Sequence, residues 1–332
     1  MKVLIIQTAF IGDVILTFPV IECLKQTAEV ESVDYLAIPD VYNVLETHPK
    51  IDKIIIYDKR NKDRGFINLL KVVGKIKKEQ YDIVYVPHRS LRSALIPLLA
   101  GVKTRVGFDK SAASFFFTEK VRYNSDIHEI ERNLSLLSER SDAFNEKQPK
   151  IYFDNKDIET VNQILQPYKK SVGIAPGSRW ATKRWLKERF AELIVLLKNE
   201  KNMNSIIFGS KSERGLCEEV NSLSGHVGVN TAGTFTPRQS ALAMGKTEVV
   251  VTNDSGATHL AVGGNGRVIT IFGATVPGFG FYPYGNRHKI IEKNLDCRPC
   301  SIHGGGKCPL GHFKCMKDIT AQEVFEEVCK FI

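Results

Sequence analysis

Four β-branched or aliphatic residues, Val249 to Thr252, run straight into Asn253-Asp254-Ser255-Gly256, and an apolar helical pattern follows through His259 and Ala261. The run reads as a buried strand, so the polar turn falls where a strand ends and a helix begins. A helix start leaves backbone N–H groups unpaired and aimed into the adjoining crevice, which suits a phosphate. Gly256 would let a ligand approach the backbone. Asp254 and His259 add an acid and an imidazole within about one and a half helical turns. Taken alone, these four residues describe an ordinary capped βα turn better than a ligand site. Other residues give the turn its chemistry. Lys183, in Pro176-Gly177-Ser178-Arg179-Trp180-Ala181-Thr182-Lys183, can neutralise phosphate charge, and the hydroxyls of Ser178, Thr182 and Ser255 can bond phosphate oxygens. Gly209 closes the strand Ser205–Gly209, with Glu213 close behind, where an acid bonds ribose hydroxyls in many nucleotide-binding folds. These residues form the candidate donor site.

A second group sits near the N-terminus. In Gln7-Thr8-Ala9-Phe10-Ile11-Gly12-Asp13, Gly12 permits a tight turn and Asp13 falls at or near a helix start, where the dipole keeps a carboxylate ionised. Such a carboxylate can take a proton from a substrate hydroxyl, although a plain cap is the competing reading. Lys59, Arg60, Lys62 and Arg64 follow the third expected strand, and His88, Arg89 and Arg92 follow the fourth. They are expected to form a cationic wall for a charged acceptor, which Gly12, Asp13, Arg60, Arg64, His88, Arg89 and Arg92 would contact. Together the two groups describe displacement of a nucleoside diphosphate from a sugar by a deprotonated hydroxyl. Asp13 would be the base, and Lys183 with the amides near Ser255–Gly256 would steady the departing pyrophosphate.

Elements of matching pattern must carry these residues. Val3–Ile6, Val33–Ile38, Ile54–Tyr57 and Ile83–Val86 read as strands alternating with helical segments, such as Phe66–Lys77 with Leu69, Leu70, Val73 and Ile76 on its inner face. Pro19 is awkward inside a helix that starts near Asp13, so a kink or a later start is expected. Residues 138–150 are polar and linker-like, Ile151–Phe153 is a short candidate strand, and a second alternation begins at Ser171–Ala175. Thr236-Pro237-Arg238-Gln239 and Thr320-Ala321-Gln322-Glu323 are capped helix starts. The class is α/β with parallel sheets, which bind ligands at the carboxyl ends of their strands. The expected domains are residues 1–155 for the acceptor and 156–318 for the nucleotide sugar, with a terminal helix over 319–332.

The net charge of +9 favours an anionic partner. The run VLII turns polar by Gln7, as a strand and not as a signal peptide, and no stretch approaches the roughly 18 apolar residues of a bilayer span. A cytoplasmic protein able to touch a membrane surface is expected. No P-loop motif occurs, no strand leads into G-x-G-x-x-G, and no D-x-D is present. These absences disfavour phosphoryl transfer, a dehydrogenase and metal-dependent sugar transfer. The basic residues gather at strand ends and not in a stripe with aromatics, so a nucleic-acid partner is not expected.

KVLIIQTAFIGDVILTFP, APGSRWATKRWLKERFAEL and TNDSGATHLA resemble, in order and over nearly the whole chain, blocks of the ADP-heptose:lipopolysaccharide heptosyltransferases, glycosyltransferase family 9. The match lies nearest the branch that adds the second core heptose. The resemblance implies a GT-B fold, two Rossmann-like domains facing across a cleft, and inverting transfer that requires no cofactor. It implies an ADP-heptose donor and a lipopolysaccharide core acceptor built of Kdo and heptose on lipid A, reached at the inner membrane. It assigns Asp13 as general base, Lys183 to phosphate, Glu213 to ribose, and Asp254, Ser255, Gly256 and His259 to the sugar and diphosphate. It also implies that the last helix crosses back to the first domain. A relative using another sugar or a protein acceptor, and a nucleotide-sugar epimerase on the same fold, stay open. Cys297, Cys300, Cys308 and Cys315 have the spacing C-x2-C-x7-C-x6-C, which could hold structural zinc. Some protein-modifying relatives carry a four-cysteine iron element in a comparable region, and a loop of reduced thiols is the alternative to both.

Overall fold

The computed structural model describes residues 1–59, 65–141 and 144–332. The chain forms two compact units, Met1–Pro149 and Lys150–Ile332. The first carries strands β1 Lys2–Ile6, β2 Ser32–Ala37, β3 Lys53–Ile56, β4 Ile83–Val86, β5 Thr104–Phe108 and β6 Glu119–Val121. They form one parallel sheet in the order β3-β2-β1-β4-β5-β6. The second carries β7 Ser171–Ala175, β8 Asn204–Ile207, β9 Val229–Asn230, β10 Val250–Asn253, β11 Val268–Phe272 and β12 Lys289–Glu292. Its order is β12-β11-β10-β7-β8-β9, again all parallel. Both are the doubly wound order whose strand sequence reverses at one point, between β1 and β4 and between β7 and β10. Helices diverge to opposite faces there and leave a crevice at the strand ends.

Central strands are buried on both faces and read as unbroken apolar runs: KVLII in β1, VITIF in β11. The edge strands β6 (EKV) and β12 (KIIE) are short and charged and give little periodic signal. Residues 151–153 form no strand. Ile151 is nevertheless buried, and its amide bonds the Gly263 carbonyl at 2.8 Å. Pro19 produces the expected interruption: Ile11–Ile15 ends, and a new helix, Phe18–Leu24, starts with Pro19 in its first turn. The helix Phe66–Glu79 buries Leu69, Val72, Val73 and Ile76 but leaves Leu70 exposed, so its inner face is rotated from the expected one.

The core of the second unit joins Val172, Ile174, Val251 and Ile269 from the sheet to Phe190, Leu193 and Leu197 of the helix Lys187–Lys201. The terminal helix Ala321–Cys329, expected to cross to the first domain, buries Val324, Phe325 and Val328 in this same core. Hydrophobic burial is satisfied within the second unit, to which this helix belongs. On the other face of this sheet, the helices Pro237–Gly245 and Gly256–Gly263 approach closely. A Cβ on Gly264 would overlap the Ala241 carbonyl, so only glycine fits there. Arg238 bonds Asp157 through Nε and Asp154 through Nη2 at 3.0 Å, with Arg238 and Asp157 both buried. Arg238→Met strands the Asp157 carboxylate in the interior. It should lower stability by about 3–5 kcal/mol, measured as a fall in the denaturant midpoint; an unchanged midpoint would refute that accounting.

Candidate functional site

At the reversal point of the second sheet, β10 ends in Asn253, whose amide is fully buried. Its Nδ2 donates to the Pro176 carbonyl at 2.8 Å, and its Oδ1 accepts from the Trp185 amide at 2.9 Å. One side chain thereby holds the β7 exit and the far end of the Lys183 loop. Trp185 is anchored in turn, its indole donating to the Ile319 carbonyl at 3.0 Å and its ring meeting Phe190 edge-on. Lys183 Nζ then lies 2.6 Å from Asp254 Oδ2. Thr275 Oγ1 donates to the same oxygen at 2.6 Å. Arg298 fixes that threonine's backbone by donating to its carbonyl at 2.7 Å and also bonds the Gly273 carbonyl. Ser255 is the N-cap of the helix Gly256–Gly263, accepting from the Ala257 amide at 3.3 Å, and His259 is buried one turn on.

Lys183, Asp254, Ser255 and Gly256 therefore gather where β10 ends, with the positive end of a helix among them, and His259 lies buried one turn into that helix. Ser178 is buried in the same β7 exit, its carbonyl bonded by Arg184 Nε at 2.7 Å. Thr182 departs from expectation. Its hydroxyl donates to the Gly305 carbonyl at 3.0 Å and accepts the Gly305 amide at 2.7 Å, so it braces two loops and is not turned to a phosphate. Glu213 also has an internal task, accepting from the Ser210 amide at 2.8 Å and the Ser210 hydroxyl at 2.7 Å. It still lies against the β7 exit, since a Cβ on Gly177 would collide with its carboxylate. Gly209 has no room for a side chain either, being packed against Cys217 and Glu213.

In the first unit, Asp13 lies in the helix Ile11–Ile15, its carboxylate accepting the Phe10 amide at 3.2 Å, beside buried Gly12. Lys59 Nζ donates to the Thr8 carbonyl at 2.7 Å. His88 is no part of a cationic wall. Burial first, then the charges of Lys59 and Arg89, push its pKa down to about 4. The neutral ring joins a hydroxyl cluster, 3.0 Å from Thr8 Oγ1 and 3.0 Å from Ser93 Oγ. The Arg89 guanidinium lies 4.2 Å from the centre of the Tyr123 ring. Arg92 is exposed on the next helix, and Arg60 and Arg64 lie outside the described residues.

Sequence reading missed a buried group beside Asp13. Glu129, first residue of the helix Glu129–Ser135, is bonded by Arg132, which also donates to Tyr123 Oη at 2.7 Å and to the Asn124 and Ile127 carbonyls at 2.7 Å each. Burial raises the Glu129 pKa to about 7. Arg132 and Arg89 oppose the rise, and the negative charge of Asp13 adds to it. The only signal in sequence was an acid and an arginine three apart at a helix start, which is indistinguishable from a surface pair. The four cysteines are not drawn together around one point. Cys297 Sγ and His312 Nε2 lie 3.9 Å apart, but among the described residues no three His, Cys, Asp or Glu form a group able to hold a metal ion.

Comparison with known proteins agrees with this geometry. The family described as glycosyltransferase family 9 (heptosyltransferase) matches residues 69–305. Lipooligosaccharide heptosyltransferase 2 of Campylobacter jejuni serotype O:6 is 27% identical, the match covering 99% of each chain. Among solved structures, a family 9 glycosyltransferase from Veillonella parvula superimposes with a TM-score of 0.87 at 20% identity, covering 99% of this chain and 96% of its own. Escherichia coli ADP-heptose lipopolysaccharide heptosyltransferase II does so with a TM-score of 0.79 at 21% identity, covering 100% and 98%. The fold is therefore that of the GT-B heptosyltransferases.

The Glu129 environment has a measurable consequence. Below its ordinary pKa of 4.5 the carboxyl is protonated in folded and unfolded chains alike, and it adds no pH dependence. Between that value and about 7 the unfolded chain ionises first, so stability falls as pH rises, by up to about 3 kcal/mol. The thermal midpoint should decline across this window in the wild type and decline less in Glu129→Gln. Equal slopes in the two proteins would sink the assignment.

Proposed function

The chain belongs to glycosyltransferase family 9, and from that membership we propose that it transfers heptose from ADP-L-glycero-D-manno-heptose to the lipopolysaccharide inner core, with inversion at the transferred carbon. The observation that carries the reading is the Lys183–Asp254 pair set against the positive end of the helix Gly256–Gly263, at the reversal point of a doubly wound sheet. A diphosphate entering this crevice would replace Asp254 as partner of the lysine. The freed carboxylate, still held by Thr275, would then be available to sugar hydroxyls. Lys183 and the helix end offset charge as ADP departs. Ser178, Ser255, Gly256 and His259 border the same donor, with Glu213 and Gly209 toward its ribose.

Asp13 is the base in this reading. It withdraws the proton from the acceptor hydroxyl, whose oxygen forms the new glycosidic bond as the bond to the diphosphate breaks. Gly12, Arg89, Arg92, Arg60 and Arg64 belong to the acceptor side, and neutral His88 orders the hydroxyls beside them. No metal or cofactor takes part in the proposed reaction. The closeness to heptosyltransferase 2 proteins supports addition of the second core heptose. The acceptor is lipid-anchored, so the protein would work at the cytoplasmic face of the inner membrane; among the described residues no helix is long and apolar enough to cross one.

A panel of nucleotide sugars offered with heptose-deficient lipopolysaccharide core, with products weighed, tests the donor and the class together. Mass added from ADP-heptose alone is expected, whereas an altered donor without acceptor would mean an epimerase. Asp13→Asn should lower kcat by roughly a hundredfold to ten-thousandfold while ADP-heptose binds within about a factor of two of wild type. Lys183→Met should weaken donor binding by roughly tenfold or more, the scale of a lost charge-assisted bond. Titration calorimetry and initial rates separate the two; a donor-binding loss in Asp13→Asn would overturn its role.

A further inference from the structure

The helix Phe66–Glu79 is apolar where its outer face should be wet. Phe66 is 65% exposed and Ile67 74% exposed, with Leu70 also open to solvent. Behind this tip the same outer face turns basic. Ile67, Lys71, Lys75 and Lys78 succeed one another at four, four and three residues and are all exposed, so the ammonium groups follow the apolar tip at about 6, 12 and 16 Å along the axis. The neighbouring helix Leu91–Leu99 also opens with an exposed apolar residue, Leu91, followed by exposed Arg92. Both helices return from the carboxyl end of a parallel strand, so their apolar N-terminal tips lie at the same end of the sheet as Asp13.

The charge of the region is one-sided. From Phe66 to Thr118 the chain carries nine lysines and arginines against three acidic residues, an excess of six out of the +9 of the whole protein. Of those acids, Glu79 is paired with Lys53, and the Asp82 carboxylate accepts the Lys2 amide at 2.7 Å. An apolar tip followed by long cationic side chains matches a phospholipid leaflet in depth order. Aromatic and aliphatic groups enter the acyl boundary, and lysine stems reach back to the phosphates. Each lysine or arginine near an anionic leaflet adds to the attraction, and salt screens it.

We propose that the tips of the helices Phe66–Glu79 and Leu91–Leu99 form a docking surface for an anionic phospholipid bilayer, which presents the Asp13 end of the first unit to a lipid-anchored acceptor. The role in catalysis rests on the proposed function; the docking itself does not. Three chains are compared: the wild type, Phe66→Ser/Ile67→Ser/Leu70→Ser, and Lys71→Glu/Lys75→Glu/Lys78→Glu. Each is sedimented with vesicles of phosphatidylcholine alone or mixed with phosphatidylglycerol. The wild type should partition onto the mixed vesicles, and less so in high salt, while each variant loses tenfold or more. Transfer to a water-soluble, delipidated core sugar should stay at the wild-type rate in both variants, and transfer to the same core embedded in mixed vesicles should fall.

Failure of every chain to transfer heptose, with vesicle binding intact, strikes the functional reading and spares the surface. Absence of wild-type binding to mixed vesicles, or equal binding by all three chains, overturns the surface. So does wild-type self-association without vesicle binding that the serine variant abolishes, since a second copy would then be the occupant.

Discussion

The second unit depends on the amide of Asn253. Buried at the end of β10, it donates to the β7 exit and accepts from Trp185, so both ends of the loop that carries Lys183 are held against one strand end. A buried amide with those bonds unmade would cost more than the bonds contribute when made, so the pairing tolerates no substitute of another shape or donor pattern. Everything with chemistry nearby follows from that attachment. Lys183 comes within reach of Asp254, Thr275 donates to the same carboxylate oxygen, and Arg298 fixes Thr275. The lysine and the acid are thus both held in place before any ligand arrives, and preorganised charge of this kind is what lowers the barrier to a departing anion.

The first unit solves a different problem. In the proposed reaction Asp13 must stay ionised beside a surface that attracts anions, while nearby groups avoid competing for its proton. Glu129 is kept from adding a second full negative charge by burial, and Arg132 supplies the compensating donor. His88, between Lys59 and Arg89, stays neutral and serves as a hydrogen-bonding hub for Thr8 and Ser93. Cationic character therefore comes from Arg89, Arg92 and Lys59, and the imidazole contributes geometry instead of charge.

The cysteine-rich excursion shows how one segment can serve the site without chemistry of its own. Gly305 is bonded twice to Thr182, and Gly304 lies against the Lys183 stem, where a Cβ would press on the lysine and on Trp180. Cys315 and Met316 anchor the far end in the core of the unit. The spacing of the thiols suggested a metal; the segment that carries them braces the Lys183 loop through Gly304 and Gly305.

Sequence alone determined the architecture and the chemical cast. Unbroken apolar runs alternating with helical patterns specify buried parallel strands, because only burial on both faces selects them. Asp13, Lys183, Asp254 and Ser255 could be named because each sits in the segment that follows such a run, where strand ends lead into helix starts. Tertiary structure decided which of these residues meet and which are already occupied. Thr182 was spent on internal hydrogen bonds, one oxygen of Glu213 was taken by Ser210, His88 lost its charge to burial, and Glu129, Asn253, Thr275 and Arg298 gained roles from contacts with segments far along the chain. Leu70 was moved from core to surface by a small rotation of its helix. The division has a physical cause. Periodicity and turn chemistry are local, and a window of sequence contains them; desolvation and side-chain pairing depend on neighbours that only the folded chain brings within a few ångströms.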